Sequence, residues 1–419
     1  MSWLTAAAAL QVLQVRPQTL YANVSRKKIR AKPDPKDTRR SLYHEADVRK
    51  MARQHGGQRK AAAVAAAAIQ WGEPILPSAV STVVEGRLYY RGRDAVVLAE
   101  KMSLEEVAGV LWGVESVPLA SRAFARAGAA HAPPLDRVLS ARFSNTTTPL
   151  QRAFLALGLR AADDLASFGR ALSVLQGDAA SLLMTLADAL LGEQPAQPVR
   201  GRGAGRARRA SSPPADVPLL HDRVALSWRR RDASDTIRRA LVLLADHELN
   251  ASTFATRVAV STGGPLAAGV LSGLSALSGP LHGRAAAGVF QLVASVEKIG
   301  AEAAVREWLS MGLPVVGFGH PLYPLGDPRA KALMERFTLP EPYAELCAVV
   351  EREIGEQPNI DFALSALTRV YGLPKEAPLI LFALGRCVGW LAHALEQVTT
   401  GQPIRPRAQY VGPPVSGLA

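Results

Sequence analysis

The 419-residue chain has only two cysteines, Cys347 and Cys387, both in apolar, helix-like contexts. No disulfide framework is therefore expected, and a reducing cytoplasm is the simplest location. The opening segment MSWLTAAAALQVLQV lacks a basic region ahead of its apolar run and lacks a small-residue cleavage site. That argues against a secretory leader, although a basic, alanine-rich start is a composition shared with mitochondrial-type presequences. Val258–Leu281 has no charged residue, but its five glycines, five serines or threonines and two prolines suit a buried helix better than a membrane span. Also missing are HxxxH and CxxC spacings, a GxSxG elbow and a P-loop. Their absence argues against a metal site, α/β-hydrolase chemistry and Walker-type phosphate binding. Alternating β runs are scarce. The main one, STVVEGRLYYRG (81–92), predicts a hairpin around Glu85-Gly86.

Charge is present but unevenly placed. The formal net charge is +13, and residues 1–60 hold 14 Lys/Arg against 4 Asp/Glu, a net of +10. The stretch RGRGAGRARR (200–209) adds five arginines, which leaves about −2 for everything else. Hydrophobic residues make up 48% of the chain and charged residues 20%, a globular balance with ample material for a core. The body of the protein is not a polycation.

Residues 1–55 read as a separate small module. LTAAAALQVL suits a short helix, and TLYANVSRK a second helix with Leu20 and Val24 on one face. IRAKPDPKDTRRSLY suits a loop between short strands, and HEADVRKM a further helical turn. The order resembles the winged helix-turn-helix heads of MerR-type and excisionase-type DNA-binding proteins. That resemblance implies base contacts from Gln18, Thr19 and Tyr21 and backbone contacts from Arg26, Lys27, Arg39 and Arg40. A solvated basic cap or a protein-docking module has the same charge. Residues 56–77 form a linker, alanine-rich at first. Beyond it the sequence is dense in helical periodicity, as in LFALGRCVGWLAHALEQ (381–397), where Leu381, Leu384, Val388, Leu391 and Leu395 keep 3.6 spacing. The Pro/Gly/Arg/Ser segment 193–217 is expected to be a disordered insert, and its GxG pieces neither follow a strand nor open a helix.

Four stretches place ionisable residues in apolar or glycine-rich surroundings: ADHELNAST (245–253), GPLHGRAAAG (279–288), VVGFGHPLYPLGDPRAK (315–331) and PNIDFAL (358–364). Two more arginines stand in LGRCVGW (384–390) and IRPRAQY (404–410). Singly, each has a structural reading: a histidine bonded in the core, Asp361 as a helix cap, Arg386 snorkelling from a helix face. Together, three histidines, one aspartate and several arginines suit chemistry on a carboxylate-bearing substrate.

In order and spacing these stretches resemble the signature segments of citrate synthase, from about residue 78 to 412. The resemblance implies a mainly α, two-domain fold. Residues 78–283 would start a large domain, 284–372 form the small domain, and 373–419 complete the large one. It implies a homodimer and the condensation of acetyl-CoA with oxaloacetate and water to citrate and CoA, with no cofactor. Asp361 would be the base, His282 would stabilise the enolate, and His320 would polarise the ketone. His247, Arg329 and Arg386 would hold the keto acid, helped by Arg405 from the partner subunit, and Val315, Val316, Gly317, Phe318 and Gly319 would lie against the CoA adenine. The chain departs from the family's usual pattern at Pro321, at Arg284-Ala285-Ala286, and at Ala363-Leu364. These positions bear on which acyl-CoA and keto acid are used. A 2-methylcitrate synthase using propionyl-CoA, or a DNA-binding regulator that keeps the fold as a metabolite sensor, are the alternatives.

Overall fold

In the computed structural model, the described residues are 3–13, 20, 24, 28–34, 37–49, 76–114, 147–192, 218–311, 315–408 and 412–413. The chain divides into two compact units, Met1–Pro77 with Pro406–Ala419, and Ser78–Arg405.

The first unit carries strand β1 (Trp3–Thr5), helix α1 (Ala6–Leu13) and strands β2 (Ala31–Asp34) and β3 (Asp37–His44). The strands form one antiparallel sheet in the order β1-β3-β2. The stretch 29–43, expected to hold a loop between short strands, contains the antiparallel pair β2 and β3. Its Pro33 sits on edge strand β2, where a missing N–H is tolerated. Ala9, Leu20, Ile29, Tyr43 and Val48 make a small core, with Val24 packed against it. Gln18, Thr19, Tyr21, Arg26 and Lys27 lie outside the described residues, as does the expected insert 193–217. Arg39 and Arg40 lie on β3.

The second unit opens on the hairpin β4 (Ser81–Val84) and β5 (Arg87–Tyr90), extended by β6 (Arg93–Asp94). Glu85 and Gly86 both have positive φ, 50° and 71°, the backbone of a two-residue hairpin turn that follows strand twist. Helices follow: α2 (Ala95–Lys101), α3 (Leu104–Trp112), α4 (Pro149–Asp163), α5 (Leu172–Leu191), α6 (Leu220–Ser227) and α7 (Ser234–Leu243). Next come α8 (Ala251–Val260), α9 (Leu266–Leu277), α10 (Ala285–Ile299) and α11 (Ala301–Ser310). The last are α12 (Pro328–Met334), α13 (Glu341–Ile354), α14 (Ile360–Tyr371) and α15 (Ala377–Thr400). Local chemistry sets several starts. Ser103 and Glu106 form a reciprocal capping box, as do Thr148 and Gln151, and Asn250, Asp327 and Asn359 cap α8, α12 and α14.

The uncharged stretch 258–281 is not one helix. A turn at 261–265, with Pro265 unable to continue α8 and Gly263 at φ 84°, breaks it into α8 and α9, which pack on each other. Helix α15 is buried on every side from Ile380 to Leu395, because α3, α5, α7, α8 and α9 all pack around it. One apolar core surrounds α15, and a second lies among α10, α11 and α13. Helix α14 joins them, giving Ala363, Leu364 and Leu367 to the first and Phe362 and Ala366 to the second.

Candidate active site

The segment between α7 and α8 carries the first histidine. His247 is 7% exposed, and its Nε2 shares a 2.8 Å hydrogen bond with the Tyr323 hydroxyl. Its ring meets that of His320 edge-on, with centroids 5.1 Å apart. His282 lies in the turn joining α9 to α10. The Gly283 N–H donates to Leu277 O at 2.9 Å, and a Cβ at Gly283 would come within 2.7 Å of the Leu277 side chain, so the turn needs glycine there. Ser252 Oγ lies 2.9 Å from His282 Nε2, accepts the Trp390 indole N–H at 3.1 Å, and is 2.7 Å from Asn250 Oδ1.

His320 ends the loop Val315–Gly319, which is strapped to the segment leading into α14. Gly319 N–H donates to Gln357 O, and Asn359 N–H to Gly317 O, both at 2.9 Å. His320 Nδ1 accepts the Leu322 N–H at 3.2 Å, which leaves the ring proton on Nε2. Asp361 is the second residue of α14, after the cap Asn359, and its Oδ1 is buried with no hydrogen-bond partner among the described residues.

The two arginines differ. Arg329, 2% exposed, grips Asp327 through Nε at 2.9 Å and Nη2 at 2.8 Å, and Asp327 also accepts the Ile360 N–H at 3.0 Å. Arg386, 1% exposed, lies 5.0 Å over the Phe382 ring and donates Nε–H to Leu244 O at 3.1 Å, with no carboxylate in hydrogen-bond reach among the described residues. It can stand there because Gly389, one turn on, lets α15 press against Ala245 and Asp246.

These groups share one electrostatic environment. Burial, then the charges of Arg329 and Arg386, hold His247 well below the ordinary histidine range. Burial, then Arg386, lowers His282 to about 4; burial, then Arg329, lowers His320 to about 4. All three rings are neutral at physiological pH. Burial pushes Asp361 up to about 7, against the pull of Arg329 and Arg386, and lowers Arg386 to about 10. A carboxyl near neutrality beside neutral imidazoles suits proton transfer. Among the described residues, no cluster of three or more His, Cys, Asp or Glu side chains could hold a metal ion.

The structure therefore brings together His247, His282, His320, Arg329, Asp361 and Arg386. Arg405 is exposed on the segment after α15, and no hydrogen bond or ion pair of it is seen among the described residues. Tyr323, Asp327, Ser252, Trp390 and Phe382 escaped the sequence reading. Asp327 had a signal, since Asp-Pro is a helix-start pattern. The other four did not.

The sequence model described as citrate synthase, C-terminal domain, matches residues 69–407. This chain belongs to the citrate synthase family. Citrate synthase 2 of Bacillus subtilis (strain 168) is 30% identical over 363 residues, covering 80% of this chain and 93% of that one. The crystal structure of citrate synthase from Thermotoga maritima MSB8 is similar with a TM-score of 0.63 at 27% identity, covering 83% of this chain and 96% of the other. Citrate synthase from Thermoplasma acidophilum, in ternary complex with carboxymethyl coenzyme A and oxaloacetate, has a TM-score of 0.64 at 22% identity over 83% of this chain and 96% of its own. The mainly helical citrate synthase fold is thus the fold of this chain.

Proposed function

We propose that this protein condenses acetyl-CoA with oxaloacetate and water to citrate and CoA, with Asp361 as the base. The observation that carries the reading is the unpartnered, buried Asp361 oxygen in one electrostatic environment with three neutral histidines. An α-proton of a thioester is a very weak acid, so its removal needs a donor aimed at the oxygen where charge develops. His282 supplies it. The Ser252 hydroxyl donates to Asn250 Oδ1 at 2.7 Å, which also takes the N–H groups of Ser252 and Thr253. The Ser252 oxygen accepts the Trp390 indole N–H and lies 2.9 Å from His282 Nε2, which fixes the direction of the ring. His320, its Nδ1 occupied, offers Nε2–H to the ketone of oxaloacetate. The enolate carbon attacks that ketone, and water then releases CoA from the new thioester.

His247, Arg329 and Arg386 hold the keto-acid carboxylates, and Arg405 of a second copy completes the grip in a homodimer. The adenine of CoA rests on Val315–Gly319. The two apolar cores correspond to large and small domains that close over the substrates and exclude water. The reaction needs no cofactor beyond acetyl-CoA. Two free thiols fit a cytoplasmic location. A thiol-release assay tests the reading. The parent should turn over acetyl-CoA with oxaloacetate faster than propionyl-CoA, and Asp361→Ala should lower kcat by about 10³-fold. Equal rates for parent and variant would remove the base from the mechanism.

A second role is favoured by the first unit. Antiparallel strands β2 and β3 beside a small apolar core support the reading, and the segment is strongly basic. We read residues 1–55 as a DNA-binding head, with Gln18, Thr19 and Tyr21 toward bases and Arg26, Lys27, Arg39 and Arg40 toward phosphates.

A further inference from the structure

His247 sits in the middle of an irregular stretch, and a hairpin far away in sequence pins both of its neighbours. The Ser81 hydroxyl on β4 donates to Asp246 Oδ2 and accepts the Glu248 N–H at 3.0 Å. One oxygen therefore ties the residue before His247 to the residue after it. Glu248 has φ 52°, a left-handed backbone that costs a non-glycine residue on the order of 1 kcal/mol and persists only where surroundings enforce it. Its carboxylate accepts Val83 N–H at 2.6 Å and the Thr82 hydroxyl at 3.2 Å, so β4 supplies that enforcement too.

Asp246 is held from the other side as well. It is fully buried, and its Oδ2 lies 3.3 Å from Nε2 of His393, also fully buried. Arg257 Nη1 faces His393 Nδ1 at 3.2 Å and can only donate, so the imidazole proton is on Nε2, directed at Asp246. Arg257 is fixed by Glu396 at 2.6 Å and Gln397 at 2.9 Å. The Asp246 backbone N–H and carbonyl each meet the Tyr90 hydroxyl at 3.3 Å.

We propose that Ser81, acting through Asp246 and Glu248, is a positioning residue that aims the His247 ring at the keto acid. The inference rests on His247 being a keto-acid ligand. Ser81 itself touches no reacting atom. Its loss lets the strained stretch relax, and the ring that meets Tyr323 and His320 loses its direction.

The experiment measures KM for both substrates, kcat, and oxaloacetate affinity by titration calorimetry. Ser81→Ala should weaken oxaloacetate by about tenfold in both KM and Kd, the scale of a sub-ångström misplacement. KM for acetyl-CoA should stay within about twofold, since the clamp does not reach that substrate's residues. Ser81→Thr, which keeps the hydroxyl and suits a strand, should recover the affinity. Asp246→Asn should show the same selective loss, and Ser81→Ala should add little to it, as two links of one chain do. Unchanged oxaloacetate affinity in Ser81→Ala, failure of Ser81→Thr to recover, or parallel loss for both substrates would each overturn the proposal. A parent protein that binds no oxaloacetate would instead bring down the functional reading, and this inference with it.

Discussion

A carboxyl group buried without a partner is a local instability with a chemical use. Asp361 is raised to about 7, chiefly by burial, from an unfolded value near 4. Its stabilising contribution is therefore complete below about pH 4 and is lost as pH rises through about 7. Asp361→Asn should match the parent at pH 4 and exceed it by about 4 kcal/mol at pH 8 in urea unfolding. The parent's kcat/KM for acetyl-CoA should rise with pH and level off above about 7, as the base loses its proton. A pH profile flat from 5 to 8 would contradict the assignment. His282 and His320 pull stability the other way. Lowered to about 4 by burial, they weaken the fold as pH falls from about 6.5 through 4.

At the scale of elements, the site depends on how closely α15 approaches the segment ahead of His247. Gly389 and Asp246 are in contact so close that any Cβ at 389 would collide with the Asp246 carboxylate and the Ala245 carbonyl. Gly389→Ala should cost about 2 kcal/mol of stability and weaken oxaloacetate binding. Gly158→Ala, in α4 with open space at its Cβ, should stabilise by about 0.5–1 kcal/mol. Thermal unfolding of the pair separates packing from helix propensity. Both positions read as glycine in an apolar helical pattern, so the sequence made no distinction between them. The long-range approach of α15 to residues 245–246 is what divides them. The same limit explains what was and was not legible. His282, His320 and Asp361 stood out because ionisable groups in apolar, glycine-rich surroundings need a reason. The hairpin at Glu85-Gly86 was readable because its signal is local. Ser81, Tyr323 and Trp390 are ordinary residues in ordinary places, and each gains its importance from a partner more than seventy residues distant. The apolarity of stretch 258–281 suits one helix, but the Gly-Gly-Pro inside it divides α8 from α9.

The whole molecule joins a near-neutral catalytic unit to a basic N-terminal unit of different construction. If that head binds DNA as proposed, the full-length chain should shift duplex DNA with an affinity that falls steeply with salt. Replacing Arg39 and Arg40 by alanine should weaken binding and reduce the slope of log K against log[salt] by about two. Absence of any shift at low salt would dismiss the head as a nucleic-acid reader. A dimer would present two such heads, matching a site with two-fold symmetry.

Asp327 has one further consequence. Its carboxylate is shared between Arg329 and the first N–H of the helix that bears Asp361. A guanidinium that must divide itself between a resident acid and an arriving one loosens its hold on the resident. If Arg329 holds the keto acid as proposed, occupancy of that side would tug, through a single aspartate, on the root of the helix that bears Asp361.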